Sequence, residues 1–577
     1  MTKKIYYFAA ALALAACVAW GADSKLAVDL QPSSLGGRQA NSVADNGASD
    51  APAYTPVIVQ FTAAPGATEL ASVTAKGGTL ITTLPAANAA LYNLPSAAIL
   101  ALNSNSYVKY ASPDRKLYRH LEYAEPTINA NIALKYGFDG TGVGIAVVDS
   151  GVASTHPDLG RPSGGSRVLY SESFVTGDAT TADPYGHGTH VAGIIGGNAK
   201  ASSGTGAKHT FMGIAPNANL VNLRVLDANG VSSDSAVIAA IYRAIQIRGQ
   251  FNIRVLNLSL GRQIVESYQM DPLCQAVEQA WKAGIVVVVA AGNNGRDNSH
   301  GTHGYSTITS PANDPYVITV GAMKDMGTTT RADDLIASYS SKGPTLLDHI
   351  AKPDLVAPGN GISSAMAPGS TLVQTYPANV VPVSYYYSSA PSTVASSYLR
   401  LNGTSMAAPM VSGAAALLIQ SDPTISPSTV KARLMKTATK NFPRSSTVVD
   451  PATGITYTSY YDLFTVGAGY LDILAALSST DKVPAMYSAI SPSVTYDSSK
   501  NTFSLAGGTN VVWGSNVVWG DNVVWGSNVV WGDNVVWGDN VVWGDSTVSG
   551  FNVVWGSNVV WGSSVPFSEA LSVAGEK

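Results

Sequence analysis

The sequence predicts an α/β fold: a parallel sheet sandwiched by helices, preceded by a small βαββαβ unit and followed by a short-period β repeat. Three observations predict it. From about 121 to 480, apolar runs alternate with helical segments: "GVGIAVVDSGV" (142–152), "ANLVNLRVLD" (218–227), "IRVLNLSLG" (253–261) and "GIVVVVAAGNNG" (284–295) read as strands, with helices from His190, near 233–247 and near 271–283. Runs apolar at nearly every position belong to strands buried on both faces, as in parallel sheets covered by helices. Between 53 and 120 the runs are shorter and more mixed. From 510 to 563 the chain repeats Asn-Val-Val-Trp-Gly-(Ser or Asp) with a six-residue period.

Taken in order, residues 1–22 read as an export signal. Lys3 and Lys4 precede an apolar run from Ile5 to Ala16. Ala19-Trp20-Gly21 suits an ordinary signal peptidase, so secretion is expected. Leu14-Ala15-Ala16-Cys17 has the form of a lipobox, and lipidation of Cys17 would instead hold the protein at a membrane surface. No other stretch is long and apolar enough to span a bilayer. Residues 23–52 are rich in Ser, Asn, Asp, Ala and Gly and read as a flexible linker. In 53–120, "VIVQF" (57–61), "TLITTL" (79–84), "AALYNLP" (89–95) and "VKYASPDRKLY" (108–118) are strands. "ATELASVTAKGG" (67–78) is a helix ending in glycine, and "SAAILALNSN" (96–105) is a helix capped by Ser96. This βαββαβ order is that of a ferredoxin-like domain.

Composition narrows the function. The chain has 577 residues, too many for one core. Lys+Arg (34) nearly balances Asp+Glu (38), which offers no basic field to nucleic acid. Two cysteines, Cys17 and Cys274, cannot build a disulfide framework, so the fold rests on its core.

In open α/β sheets ligands lie beyond the carboxyl ends of the strands. There the chain sets Asp149 after "GIAVV", His187 in "YGHGTHVAG" (185–193), Asn293 after "VVVVAAG", and Ser405 in "NGTSMAAPMVSGAAALL" (402–418). Nucleophilic acyl transfer needs these residue types. A serine hydroxyl needs an imidazole to take its proton. A buried carboxylate fixes the imidazole tautomer and stabilises its charged form. The Asn293 amide and the Ser405 backbone N–H, at a helix N-terminus, are candidate oxyanion donors. Singly, each residue reads as a turn, cap or structural group. Four together, each among glycines, do not read as coincidence.

These segments resemble the signature stretches of the subtilisin-like serine proteases, the subtilases: "AVVDSGV", "GHGTHVAG", "AAGNNG" and "NGTSMAAP", in the family's order. The resemblance spans about 121–480 and extends to "GIAPNANLVNLRVLD", "SPANDPYVITVGA", "SYSSKGP", "KPDLVAPG" and "GAGYLDI". It implies a serine endopeptidase in which Asp149 orients His187, His187 is general base and then acid, Ser405 is the nucleophile and Asn293 completes the oxyanion hole. It implies that Leu258, Ser259, Leu260 and Gly261, with Ala290, Ala291 and Gly292, line the pocket for the side chain before the scissile bond. It places an edge strand around 228–233 for pairing with substrate backbone. It makes 53–120 an inhibitory propeptide, cut near 118–122, and 121–480 the peptidase domain. Arg262 lies just past the pocket wall, facing either way, and no charge marks the pocket floor, so a large apolar or aromatic preference is expected. Protein or peptide substrates are the expected partners, and no cofactor is required. Asp158 matches a calcium-ligand aspartate of some subtilases, but "GGNAKASSGTGAKHTFMG", where further ligands belong, is differently composed. The roughly 40 residues between "VAPG" and "NGTSMAAP" read as a surface loop beside the cleft. A different hydrolase fold is disfavoured, because Gly403-Thr404-Ser405-Met406-Ala407 lacks the Gly-x-Ser-x-Gly elbow.

Residues 481–509 read as a second linker, 510–563 as the repeat and 564–577 as a tail. The repeat holds eight of the ten tryptophans, and "STVSGF" (546–551) keeps its register. "VVW" favours strands and Gly-Asp-Asn favours turns, which suggests a β-solenoid or meander. Its tryptophans either stack inward or face a polymer or surface. With four aspartates and no basic residue it does not suit nucleic acid.

Overall fold

The computed structural model describes residues 25–26, 30, 54–84, 88–113, 121–299, 301–388, 395–450 and 454–497, with short strand segments at 502–505, 512–513, 524–525, 529–531, 535–537 and 567–568. The export signal and Cys17 lie outside the described residues. The chain divides into two compact units, Met1–Leu117 and Tyr118–Lys577.

In the first unit β1 (Tyr54–Phe61), α1 (Ala67–Thr74), β2 (Thr79–Leu84), β3 (Ala89–Pro95), α2 (Ser96–Ala101) and β4 (Val108–Pro113) follow one another. The strands form an antiparallel sheet in the order β2-β3-β1-β4. Val57, Val59 and Phe61 alternate into the core, the period-two pattern of a sheet with one covered face. Val73, Ile99 and Leu102 close that face. Two expectations need correction. Ser96 does not cap α2: Pro95, extended at φ −71° and ψ 154°, is the N-cap, and Ser96 is already helical. The linker reading fails at Leu26 and Leu30, which are buried in this core, with Leu26 bridged to Ala111.

The second unit is built on β5 (Gly144–Asp149), β6 (Val168–Ser173), β7 (Asn219–Arg224), β8 (Ile253–Leu258), β10 (Val286–Ala290), β11 (Ile318–Lys324), β12 (Leu335–Ile336) and β13 (Leu355–Pro358); the short β9 (Leu260–Gly261) lies outside this sheet. The order is β12-β11-β10-β8-β5-β7-β6, with β13 also on β11. Every pairing is parallel except β11 with β12. β5 and β10 are buried at each position, as two-sided cover requires. The helices are α3 (His187–Gly196), α4 (Asp234–Phe251), α5 (Pro272–Lys282) and α6 (Thr404–Ser421). α4 packs on α5 and β8, while α6 packs on α3, β8, β10 and β11. α6 is apolar or small on all sides and buried from Thr404 to Ile419, as a central helix must be.

Three local expectations change. α3 starts at His187, the helix start that "YGHGTHVAG" suggests, and not one turn later at His190; Gly186 (φ 103°) is its N-cap. Residues 228–233 form no continuous strand: Asp227 accepts from the backbone N–H of Asn229 and Val231 and closes a turn, and β-pairing is confined to a single bridge at Val231. The 360–401 segment is not an open loop. Its ends pair as an antiparallel hairpin, β14 (Ile362–Ala365) with β15 (Tyr398–Leu401), and Leu372, Val381, Tyr386 and Tyr398 are buried. In the repeat, Val512–Trp513 pairs in parallel with Val524–Trp525, and Val529–Trp531 pairs antiparallel with Val535–Trp537. The direction of the tryptophan side chains lies outside what is described.

Candidate active site

Asp149 ends β5 and His187 begins α3. Their side chains are fully buried, and His187 Nδ1 lies 2.7 Å from Asp149 Oδ1. The same carboxylate oxygen accepts from Ser150 N–H at 2.8 Å, and the Asp149 carbonyl accepts from Val225 N–H at 2.8 Å. The carboxylate is thus held from its own loop, and the Asp149 backbone from the end of β7. Ser150 Oγ accepts from Gly188 N–H at 2.9 Å and donates to Asp183 at 2.7 Å. Asp183 in turn accepts from Gly186 N–H and Thr189 N–H, both at 2.7 Å, so a carboxylate meets the N-terminal N–H groups of α3. Helix and loop approach so closely that a Cβ on Gly188 would lie 2.2 Å from the Gly151 carbonyl oxygen and 3.1 Å from Asp149 Cβ. His190 faces elsewhere: its Nε2 meets the carbonyls of Ile362 and Leu399 at 3.1 and 3.0 Å. Burial, with His187 adding, lowers its pKa to about 3, so it stays neutral.

Ser405 is the second residue of α6 and is buried. Pro409 stands four residues on and has no N–H, so the Ser405 carbonyl loses its helical donor. Ser259 Oγ fills that role at 2.9 Å, and Ser405 Oγ donates back to the Ser259 carbonyl at 3.2 Å. Thr404 N–H, one of the first-turn donors without a helical acceptor, donates to Asn293 Oδ1 at 2.9 Å, and Thr404 Oγ1 donates to it at 3.2 Å. Asn293 therefore caps the helix that carries Ser405, and its Nδ2 lies 3.2 Å from where a Cβ on Gly403 would stand.

The seven expected pocket residues leave the sheet on adjacent strands. Leu258 is paired with Val289 where β8 and β10 end, and Leu258 to Gly261 and Ala290 to Gly292 follow. The backbone of Phe567–Ser568 pairs antiparallel with Leu260–Gly261. Arg262 turns away into the protein, 3% exposed, and donates to Asp234 at 3.0 Å and Asp271 at 2.8 Å. Sequence reasoning missed Ser150, Asp183 and Thr404 as partners of the site. All three stand within a few residues of the four it named, but their contacts are tertiary.

Asp158 does not fit a calcium site. Its carboxylate oxygens accept from Ala201 N–H and the Tyr398 hydroxyl, each at 2.7 Å. Among the described residues no three His, Cys, Asp or Glu are grouped to hold a metal, whereas calcium takes about six to eight oxygens.

Comparison with known proteins identifies the family. The subtilase family model matches residues 140–454. Serine protease AprX of Bacillus subtilis (strain 168) is 36% identical over 356 residues, covering 60% of this chain and 72% of that protein. Subtilisin DY of Bacillus licheniformis is 36% identical over 317 residues, covering 55% and 91%. A solved structure, described as a cold adapted subtilisin-like serine proteinase, is 30% identical over 58% of this chain and 90% of its own, with a TM-score of 0.38. The family match spans more than half the chain, and these two protease sequences are covered along most of their length. The chain belongs to the subtilase family and is a subtilisin-like serine endopeptidase.

Proposed function

We propose that Asp149, His187, Ser405 and Asn293 carry the reaction, in a secreted enzyme made as a zymogen. Ser405 Oγ attacks the scissile carbonyl while His187 Nε2 takes its proton. The same imidazole then protonates the leaving amine. Asp149 fixes the His187 tautomer through Nδ1 and stabilises the imidazolium. The Asn293 amide and the Ser405 N–H receive the oxyanion. Water, activated by His187, releases the acyl group from Ser405. The observation that carries this reading is the buried 2.7 Å contact between His187 and Asp149, beside a serine helix capped by Asn293.

The substrate lies along Leu258 to Gly261 and Ala290 to Gly292. None of these is charged, and Arg262 is engaged elsewhere, so a large apolar or aromatic side chain is preferred before the scissile bond. The pairing of Phe567–Ser568 supports Leu260–Gly261 as an edge that accepts an extended strand. Residues 53–120 act as an intramolecular inhibitor, cut near 118–122 after export by the 1–22 signal, and no metal is required. The test is Ser405→Ala expressed in a protease-free host. It leaves casein intact and keeps residues 53–120 attached. Normal maturation of that variant would refute the reading.

A further inference from the structure

We infer that Arg167 and Tyr398 do at Asp158 what a bound cation would otherwise do, and so anchor the long 360–401 segment without metal. Asp158 is buried in the turn Pro157–Leu159. Its Oδ1 accepts from Ala201 N–H and its Oδ2 from the Tyr398 hydroxyl. Ser202 Oγ lies 2.9 Å from the same phenol oxygen and accepts from Phe211 N–H at 3.0 Å. A cation at this carboxylate has to share each oxygen with a protein donor.

The surrounding carbonyls are engaged as well. Arg167 is 3% exposed. Its Nη2 donates to the carbonyls of Asp158, at 2.6 Å, and Gly196. Its Nη1 donates to Ala218 O at 3.1 Å and its Nε to Gly160 O at 3.3 Å. Asn198 adds its backbone N–H to Asp158 O at 3.0 Å and its side-chain amide to Gly160 O at 2.9 Å. Main-chain oxygens from three separate segments thus converge on one guanidinium. Convergent oxygens are what a hard cation seeks. A guanidinium is permanently charged and presents its N–H groups in a fixed plane, so it satisfies them from within the chain.

Tyr398 links this centre to that segment. Its ring packs edge-on against Phe211 and Tyr386, with centroids 4.5 and 5.2 Å away. His156 Nε2 meets Ser397 O at 2.9 Å beside it. The same segment reaches the helix of His187. Thr371 N–H donates to Pro184 O and Leu372 N–H to Tyr185 O, and His190 meets the carbonyls of Ile362 and Leu399. The clamp at Asp158 therefore holds a segment that braces the start and the body of α3.

The test uses the full chain carrying Ser405→Ala, which removes self-cleavage, and reads thermal unfolding in EDTA and in added calcium. The expected Tm in the two media differs by no more than roughly 1 °C, or by the same amount when Asp158→Asn is added. Tyr398→Phe keeps the ring and strips a donor from a buried carboxylate, and its Tm falls by roughly 2–4 °C in both media. Terbium is the direct probe, because a lanthanide at Asp158 sits beside the Tyr398 phenol and draws sensitised emission from it. The expected emission is unchanged by Asp158→Asn. A chelator effect or terbium emission that Asp158→Asn abolishes overturns the inference. A chelator effect equal in both chains supports it, since the cation then binds elsewhere. Should Asp158→Asn fail to fold, Tyr398→Phe decides: a fall in Tm in both media supports the clamp, and no fall, or full rescue by calcium, overturns it.

Discussion

Replacing Asn293 by alanine removes two things at once, and the structure separates them. The first is the amide donor toward the oxyanion. Losing one such donor costs about 10²–10³ in kcat, or about 2.7–4 kcal/mol, a size known from subtilisin itself and not worked from this chain. The second is the acceptor for Thr404 N–H and Oγ1 at 2.9 and 3.2 Å. Two neutral hydrogen bonds at about 0.5–1.5 kcal/mol each predict a stability loss of roughly 1–3 kcal/mol. The assay is steady-state hydrolysis of a chromogenic peptide by matured enzyme, with thermal unfolding measured in parallel. A donor used only in the transition state lowers kcat and leaves KM nearly unchanged. Thr404→Val keeps the N–H bond but drops two hydroxyl bonds, the one donated to Asn293 Oδ1 and the one accepted from Gly292 N–H at 3.2 Å, so it shows a stability loss of roughly 1–3 kcal/mol with kcat largely retained. A kcat for Asn293→Ala within about fivefold of the parent, or a loss confined to KM, refutes the oxyanion role.

Other substitutions probe the frame around the site. Gly188→Ala drives a Cβ to 2.2 Å from Gly151 O, which pushes α3 off the Asp149 loop, so activity is expected to fall more steeply than Tm; comparing kcat/KM with thermal unfolding checks this. Arg262→Leu leaves Asp271 buried and unpaired and is expected to cost about 3–5 kcal/mol in denaturant unfolding, while the side-chain preference before the scissile bond in a peptide library stays the same. Burial, with Asp325 and Asp333 adding, raises the Asp334 pKa from 3.8 to about 8. A carboxyl whose folded pKa lies above its unfolded value contributes stability in full below the unfolded pKa and loses it as pH rises through the folded one. Stability from this group therefore declines between about pH 4 and 8, and Asp334→Asn flattens that part of the Tm profile.

The groups proposed to react were named from sequence because acyl transfer constrains both residue type and neighbourhood. Asp149, His187, Asn293 and Ser405 each sit where a strand or helix end meets glycine: a Cβ on Gly151, Gly188 or Gly295 would lie 2.1–2.2 Å from a backbone oxygen, and Gly403 is set by its φ of 151°. The parallel sheet was legible from β5 and β10, whose continuous apolar runs have no other sensible burial. What escaped notice depends on partners distant in sequence. β14 and β15 are short and separated by a long Tyr-, Ser- and Pro-rich stretch, so no local period marks them as a hairpin. Tyr398 reads as one aromatic among many until Asp158 stands beside it. The start of α3 has no polar cap in sequence, because Asp183 supplies it from outside the helix. The Ser259–Ser405 exchange follows from Pro409, but only once β8 and α6 are known to be neighbours.

The most direct test of the central claim is active-site labelling. The active protein is treated with a fluorophosphonate and the adduct is located by peptide mass spectrometry. The account predicts one adduct, on Ser405, absent from His187→Ala. An adduct on another residue, or full casein hydrolysis by protein that takes up no label, would contradict it.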